Sequence, residues 1–186
     1  MNMERVADLL FEARLLKQLP RSGYSFLGVG KESVAEHSFS TAFIAFILSK
    51  LEPEADPARL MSMCLVHDLP ESRIGDLNYV QKQYVSADEA KAVEHAVAGL
   101  PFGGDVSTLI SEFNAGKTLE ARLARDADQL SLALDLKALQ DIGYASPAKW
   151  IPNVRARLKT ATGKKLMESI LQRDQDAWWI DQYVES

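Results

Sequence analysis

Between Ser33 and Leu51 the chain carries a largely apolar run, VAEHSFSTAFIAFILSKL, and this run limits the possible folds more than any other feature. It opens on a capping box. The Ser33 side chain can accept from the Glu36 amide while Glu36 reaches back to the amide of Ser33. A helix that starts there and continues to Leu51 shows apolar residues on nearly every side, so a buried helix is expected.

The remaining sequence also reads as helices separated by short punctuation. Residues 3–18 place Val6, Leu9, Leu10, Ala13 and Leu16 mostly at three- and four-residue spacing, the mark of an amphipathic helix. Residues 20–31 hold one proline and three glycines and read as a loop. Pro53 and Pro57 break the chain, and Asp56 can cap a helix with Pro57 at its first position. That helix, ARLMSMCLVHDL, should end or kink near Pro70, which lacks an amide and disfavours helical geometry before it. Residues 71–85 look irregular. Ser86 and Glu89 form a second capping box, opening a helix to about residue 100. A break at 101–104 leads to a short helix over 105–115 with Gly116 as its C-cap. A long helix is expected over 118–140, ended at 143–147, and a last one over about 162–183. Alternating β-branched strands, repeats and low-complexity linkers are not evident. The expected fold class is all-α, a single-domain helical bundle over residues 1–186.

Composition narrows the class further. The 186 residues suit one domain with a sizeable core, and 47% apolar with 25% charged is ordinary for a globular chain. A net charge of −5 argues against a broad nucleic-acid-binding face, though not against a small basic pocket for one phosphate. Cys64 is the single cysteine, so an intrachain disulfide is excluded. Glu4, Asp8 and Glu12 interrupt the N-terminal apolar residues, unlike a signal peptide. No stretch approaches the roughly 18 apolar residues of a membrane span. A cytoplasmic protein without membrane or nucleic-acid polymer partners is expected.

The chemistry gathers around the histidines His37, His67 and His95. His67 is followed directly by Asp68 at the end of a strongly apolar helix, where burying both is costly unless they are satisfied. Taken alone, such a pair is more often a buried hydrogen bond or a solvent-facing helix end. His37, however, lies one turn into another apolar helix, and Asp128 opens an apolar stretch on a third. Three helices of a bundle can aim such side chains at one point. Two neutral imidazoles and two carboxylates would leave a divalent ion formally neutral. Four protein ligands would close a tetrahedral zinc site, whereas a six-coordinate ion keeps positions for water and substrate. One divalent ion is expected, with manganese, cobalt or ferrous iron favoured and magnesium compatible.

The segments SVAEHS, CLVHDLPESRIGDL and RDADQL together resemble the HD-domain superfamily of metal-dependent phosphohydrolases, and more narrowly its 5′-deoxynucleotidase-like branch. The resemblance covers roughly residues 6–140. It rests on an arginine-bearing loop, an EHS-type helix start, HD-x-x-E-x-x-x-x-D and a late A-D-x-L. It implies metal ligands at His37, His67, Asp68 and Asp128, catalytic carboxylates at Glu71 and Asp76, and a phosphate-binding arginine at Arg21. It also implies hydrolysis of nucleoside 5′-monophosphates to nucleoside and phosphate, often deoxynucleotides, by a homodimer.

The residues suit those roles. Glu71 is four positions after His67, so it can lie on the same side and move a proton. Without the family pattern it would pass for an exposed helix-end glutamate, and Asp76 for a turn residue after Gly75. Arg21 could clamp a phosphate bidentately, and Lys82 is a weaker phosphate candidate, more simply a surface residue. Asp126 lies about 200° from Asp128 around a helix and reads as exposed or as a partner of a ligand. His95 reads as structural and Cys64 as core.

Many relatives carry tryptophan near the phosphate-binding arginine. Here Tyr24 is the nearest equivalent and the candidate sugar or base contact, which leaves deoxy selectivity open. Pro70 could shift Glu71. Trp178 and Trp179 should pack the last helix on the body or on a partner subunit. An HD-type phosphodiesterase, or a hydrolase of another phosphorylated metabolite, is the alternative enzyme. A dinuclear phosphodiesterase would need further histidines, and His95 alone is spare. A non-catalytic nucleotide- or metal-binding module would be expected to lack the carboxylate pair.

Overall fold

The computed structural model describes residues 2–184, so Met1, Glu185 and Ser186 of the expected 1–186 domain lie outside the described residues. The chain is all-α, and among the described residues a lone bridge between Pro20 and Ser33 is the only β-type pairing. Helix α1 (Met3–Leu15) is followed by the one-turn α2 (Tyr24–Leu27), then α3 (Val34–Leu51) and α4 (Pro57–Val66). The one-turn α5 (Glu71–Ile74) precedes α6 (Glu89–Val97), α7 (Gly103–Ala115) and the long α8 (Leu119–Asp141). The chain closes with α9 (Ile151–Arg157), α10 (Ala161–Gln172) and α11 (Ala177–Tyr183).

The centre is a three-helix unit in which α3, α4 and α8 pack on one another, with α7, α9 and α10 laid around α8. Alanines 121, 124, 127 and 133 of α8 are fully buried and let neighbouring backbones come close. Between them Leu48, Leu60, Met63, Leu123, Leu130, Leu136 and Met167 are completely enclosed. Each such side chain contributes about 1.5–3 kcal/mol by leaving water. A satellite cluster of Leu69, Val93 and Ile110, joined by Leu9, ties α1 and α6 to this unit.

Caps explain most of the boundaries. Ser33 and Glu36 form the expected capping box. Asp56 accepts from the amides of Ala58 and Arg59, with Pro57 in the first turn. Gly116 ends α7 at φ 61°, a left-handed conformation suited to glycine.

Several expectations are corrected. Helix α6 is capped by Asp88, whose carboxylate accepts from the Lys91 amide at 3.0 Å, rather than by the Ser86–Glu89 pair. The expected helix over 162–183 is two helices. Arg173 turns extended after α10, and the Gln175 amide is drawn away to Asp141 at 2.9 Å. Helix α10 docks through the buried Met167, whereas Trp178 on α11 remains 72% exposed. The sequence pattern also missed α9, although Pro152 in its first turn is a start signal.

The largest correction concerns α3. Its inner side buries Val34, His37, Thr41, Ala45 and Leu48. Phe39, Phe43 and Phe46 on the other side are exposed, because α4, α8 and α10 cover one side only.

Candidate metal centre and active site

The first turn of α3 places His37 inside the bundle with no exposed surface. His67 sits at the C-terminal cap of α4, where its amide still bonds to the Met63 carbonyl. Its Nδ1 lies 2.8 Å from the Cys64 carbonyl. A carbonyl can only accept, so Nδ1 carries the proton and a neutral ring leaves the Nε2 lone pair facing the centre. Asp128 enters from the middle of α8, its Oδ1 3.0 Å from His37 Nε2. His37, His67 and Asp128 thus offer ligand atoms all within 4.8 Å of one another.

Asp68 stands outside that three-residue set but faces it. Its Oδ2 is 3.1 Å from His67 Nε2 and 3.8 Å from His37 Nε2. The shorter approach is poorly aligned, since His67 Nε2 is buried without a hydrogen-bond partner. An imidazole nitrogen orphaned beside two carboxylates costs free energy that a cation would recover. The donor set therefore fits a divalent ion.

The next turn decides where the remaining carboxylates go. Pro70 does not displace Glu71. It adopts helical angles (φ −57°, ψ −26°) and leads directly into α5, whose first residue is Glu71. Gly75 then takes φ 77° and ψ 160°, a combination essentially confined to glycine. That reversal brings Asp76 back, where its Oδ2 accepts from the Ser22 amide at 2.7 Å. The 20–31 loop is closed in turn by the Arg21 amide on the Glu32 carbonyl at 2.8 Å. Arg21 then reaches in, with Nη1 3.3 Å from Asp68 Oδ2 and Nε 3.9 Å from Glu32 and 4.0 Å from Asp76.

Electrostatics follow from this crowding of acids. Burial pushes the Glu71 carboxyl up, and the charges of Asp68 and Asp76 push it further, to about 8. Its Oε2 is buried without a partner. Burial opposes charge on His67, yet Asp68 and Asp128 hold its proton, raising it to about 9. Burial likewise works against Asp128, but the hydrogen bond and charge of His37 keep it well below the usual carboxylate range. Burial would weaken the Arg21 cation, and Asp68, Asp128, Asp76 and Glu71 secure it. A field that holds a proton on His67 this firmly is one that favours a metal ion.

The structure thus brings His37, His67, Asp68, Asp128, Arg21, Glu71 and Asp76 to one place. Tyr24 borders it differently. Its hydroxyl donates to Asp135 on α8, so only its ring faces the neighbouring cavity. Lys82 is exposed on the turn Gln81–Gln83 and does not line that cavity. His95 is exposed on α6. Cys64 is fully buried, and burial together with Asp128 and Asp68 pushes its thiol up, which suits packing rather than nucleophilic attack.

Asp126 overturns its expectation. It is fully buried, not exposed, and accepts from the Lys159 amide, the Thr160 amide and the Thr160 hydroxyl at 2.6, 2.8 and 2.6 Å. It anchors the start of α10 and serves no ligand. Glu32 was not anticipated. It is 3.8 Å from His37 Nδ1 and beside Arg21. As a lone acid preceding a cap, it carries no spacing signal.

A cavity of about 730 Å³ opens from Arg21 and Asp76. Its lining also includes Trp150, Asn153 and Arg157, which the sequence pattern missed.

Comparison with known proteins agrees with this geometry. The family described as HD domain matches residues 13–170. The 5′-deoxynucleotidase HDDC2 of Xenopus laevis is 29% identical over 133 residues, covering 68% of this chain and 65% of that protein. The protein of the same name from Dictyostelium discoideum is 30% identical over 132 residues, covering 64% of this chain and 69% of its own. This chain thus spans about two thirds of the length of the relatives it matches. Among solved structures, a conserved hypothetical protein from Pyrococcus furiosus superposes with a TM-score of 0.74 at 27% identity, over 90% of this chain and 99% of that one.

Proposed function

The chain belongs to the HD-domain family, and on that premise we propose that it is a metal-dependent phosphomonoesterase hydrolysing nucleoside 5′-monophosphates to nucleoside and phosphate. The observation that carries the reading is the buried His37–His67–Asp128 group with Asp68, Arg21 and an unpartnered Glu71 oxygen at its edge. The names of the Xenopus and Dictyostelium relatives support the nucleotide substrate.

His37, His67, Asp68 and Asp128 are assigned as holders of one divalent ion, with manganese, cobalt or ferrous iron favoured and magnesium compatible. Such an ion supplies Lewis acidity toward a phosphoryl oxygen and acidifies water. Arg21 binds the phosphate, its planar fork matching two oxygens. Glu71, with a buried oxygen that has no partner at the edge of the centre, is suited to move a proton between water and the leaving 5′ oxygen. Asp76, held by the Ser22 amide, orients water or sugar beside Arg21. Lys82 is left out of this phosphate site, and Tyr24 contributes at most its ring.

The domain is proposed to run over 1–186, in the cytoplasm and as a homodimer. The exposed Phe39, Phe43 and Phe46 of α3 support a second copy as the occupant of that face. A Phe43→Glu variant that sediments like the wild type would remove that support.

The test is phosphate release from deoxy- and ribonucleoside 5′-monophosphates by metal-stripped protein resupplied with Mn²⁺, Co²⁺, Fe²⁺ or Mg²⁺. Metal-dependent release, lost in Asp68→Ala, is expected. No release with any pairing would overturn the reading.

A further inference from the structure

The cavity beside the metal centre is lined by two unlike groups. Arg21 and Asp76 belong to the first, and Arg21 reaches Asp68 of the centre, so a phosphate bound there fixes which way its ester points. The rest of a 5′-monophosphate must leave the centre along the remaining lining, the α9 end. It includes the flat rings of Phe26, Tyr79 and Trp150, the amides of Asn78 and Asn153, and the cationic Arg157.

Helix α9 presents this end as one face. Trp150 caps it, and Asn153 and Arg157 follow at spacings that stack on the same side. The Trp150 ring lies close over Gly23, where an added Cβ would stand 3.8 Å from Cζ3 and Cη2. Trp150 also packs against the core, so its plane is held rather than free. Tyr79 and Phe26, by contrast, are 77% and 54% exposed at the rim, aromatic area with nothing over it. Arg157 is exposed and makes no ion pair among the described residues.

We propose that Trp150, Asn153 and Arg157 form the nucleobase subsite, Trp150 stacking on the base and Arg157 donating to a base carbonyl oxygen. This rests on the nucleotidase reading above and extends it to specificity. A guanidinium can only donate, so it favours guanine and the pyrimidines, which carry carbonyl oxygens, over adenine. The asparagine amide both donates and accepts and tolerates either edge.

The test compares dGMP, dTMP and dAMP with 2-deoxyribose 5-phosphate, which keeps the phosphate and sugar but lacks the base. Trp150→Ala should raise KM for all three nucleotides about 10-fold or more, with kcat and the baseless ester little changed. Arg157→Ala, an exposed position with little bearing on folding, should raise KM for dGMP and dTMP more than for dAMP. Trp150→Phe, which retains a ring, should recover most of the loss and guards against misfolding as the cause. Equal losses on the baseless ester, or unchanged nucleotide KM in both alanine variants, would overturn the subsite while leaving the nucleotidase reading intact. If the wild type hydrolyses no nucleotide, a binding measurement still decides. The chain has three tryptophans, so Trp178→Phe/Trp179→Phe leaves Trp150 as the sole indole reporter. Quenching of its fluorescence by thymidine or guanosine supports the subsite, and no quenching overturns it.

Discussion

The two ends of the site are held in different ways. At the metal end, His37, His67 and Asp128 hang from α3, α4 and α8, the three helices that also form the core. Their polar groups face one another in a largely enclosed place, where a small displacement is costly. At the α9 end the walls come from α2, the 77–80 segment and a seven-residue helix, and two aromatics stand open to solvent. A charged centre needs rigid support because its groups must be compensated together. A face that stacks on flat rings needs only a fixed indole and some donors, so a short peripheral helix suffices.

That contrast can be broken or sharpened by substitution. The largest effect is expected at the metal end. His67→Ala should lose bound metal by elemental analysis and lower kcat/KM by more than the roughly 100-fold that outer partners alone cost. A His67→Ala protein that kept its metal and turnover would move the centre elsewhere. Next, Glu71→Gln should keep the metal and lower kcat by about 10²–10⁴-fold, the usual contribution of a proton-transfer group. Unchanged kcat would shift that role to Asp76. Both losses should exceed those from α9.

A third comparison uses the two aspartates of α8. Asp126→Ala strands the Lys159 and Thr160 amides, each costing about 1–3 kcal/mol. The thermal midpoint should fall while metal content holds. Asp128→Ala should do the reverse on metal. If Asp126→Ala released the ion instead, the division between anchor and ligand would fail.

The smallest effect concerns the pair that ties α1 to α5. Burial pushes the Glu12 carboxyl up, but hydrogen bonds from Arg73 and Ser72 outweigh it and leave it below the usual range. A depressed carboxyl contributes stability above its unfolded value of 4.5, lost as pH falls through and below that point. Glu12→Gln should therefore slightly lower the thermal midpoint at pH 7, and the difference from the wild type should shrink as pH falls below 4.5 and through the depressed folded value. A partly exposed pair of this kind promises a shift of a degree or so at most.

Much of this was readable before folding. The caps at Ser33 and Asp56 are local, because each involves atoms a few residues apart, and both appear as expected. The histidines and acids of the metal end were legible because buried charge on apolar helices calls for an explanation, and because SVAEHS, CLVHDLPESRIGDL and RDADQL together resemble the HD-domain pattern. Asp126 misled because its partners lie 33 and 34 residues away, beyond any periodic signal. The outer face of α3 misled for a related reason. A run apolar on every side does not say which side its neighbours will cover.

The sequence by itself determined the helical class, most of the caps and the identity of the residues able to hold a cation. Those depend on spacing within a turn or two and on the intrinsic cost of burying charge. Tertiary structure alone decided three things: that Asp126 holds the Lys159 and Thr160 amides, that the Tyr24 hydroxyl is taken by Asp135, and that α9 lines the cavity that Arg21 also lines. Each depends on how helices far apart in the chain come to rest against one another, which is set by the packing of the whole core rather than by any one segment.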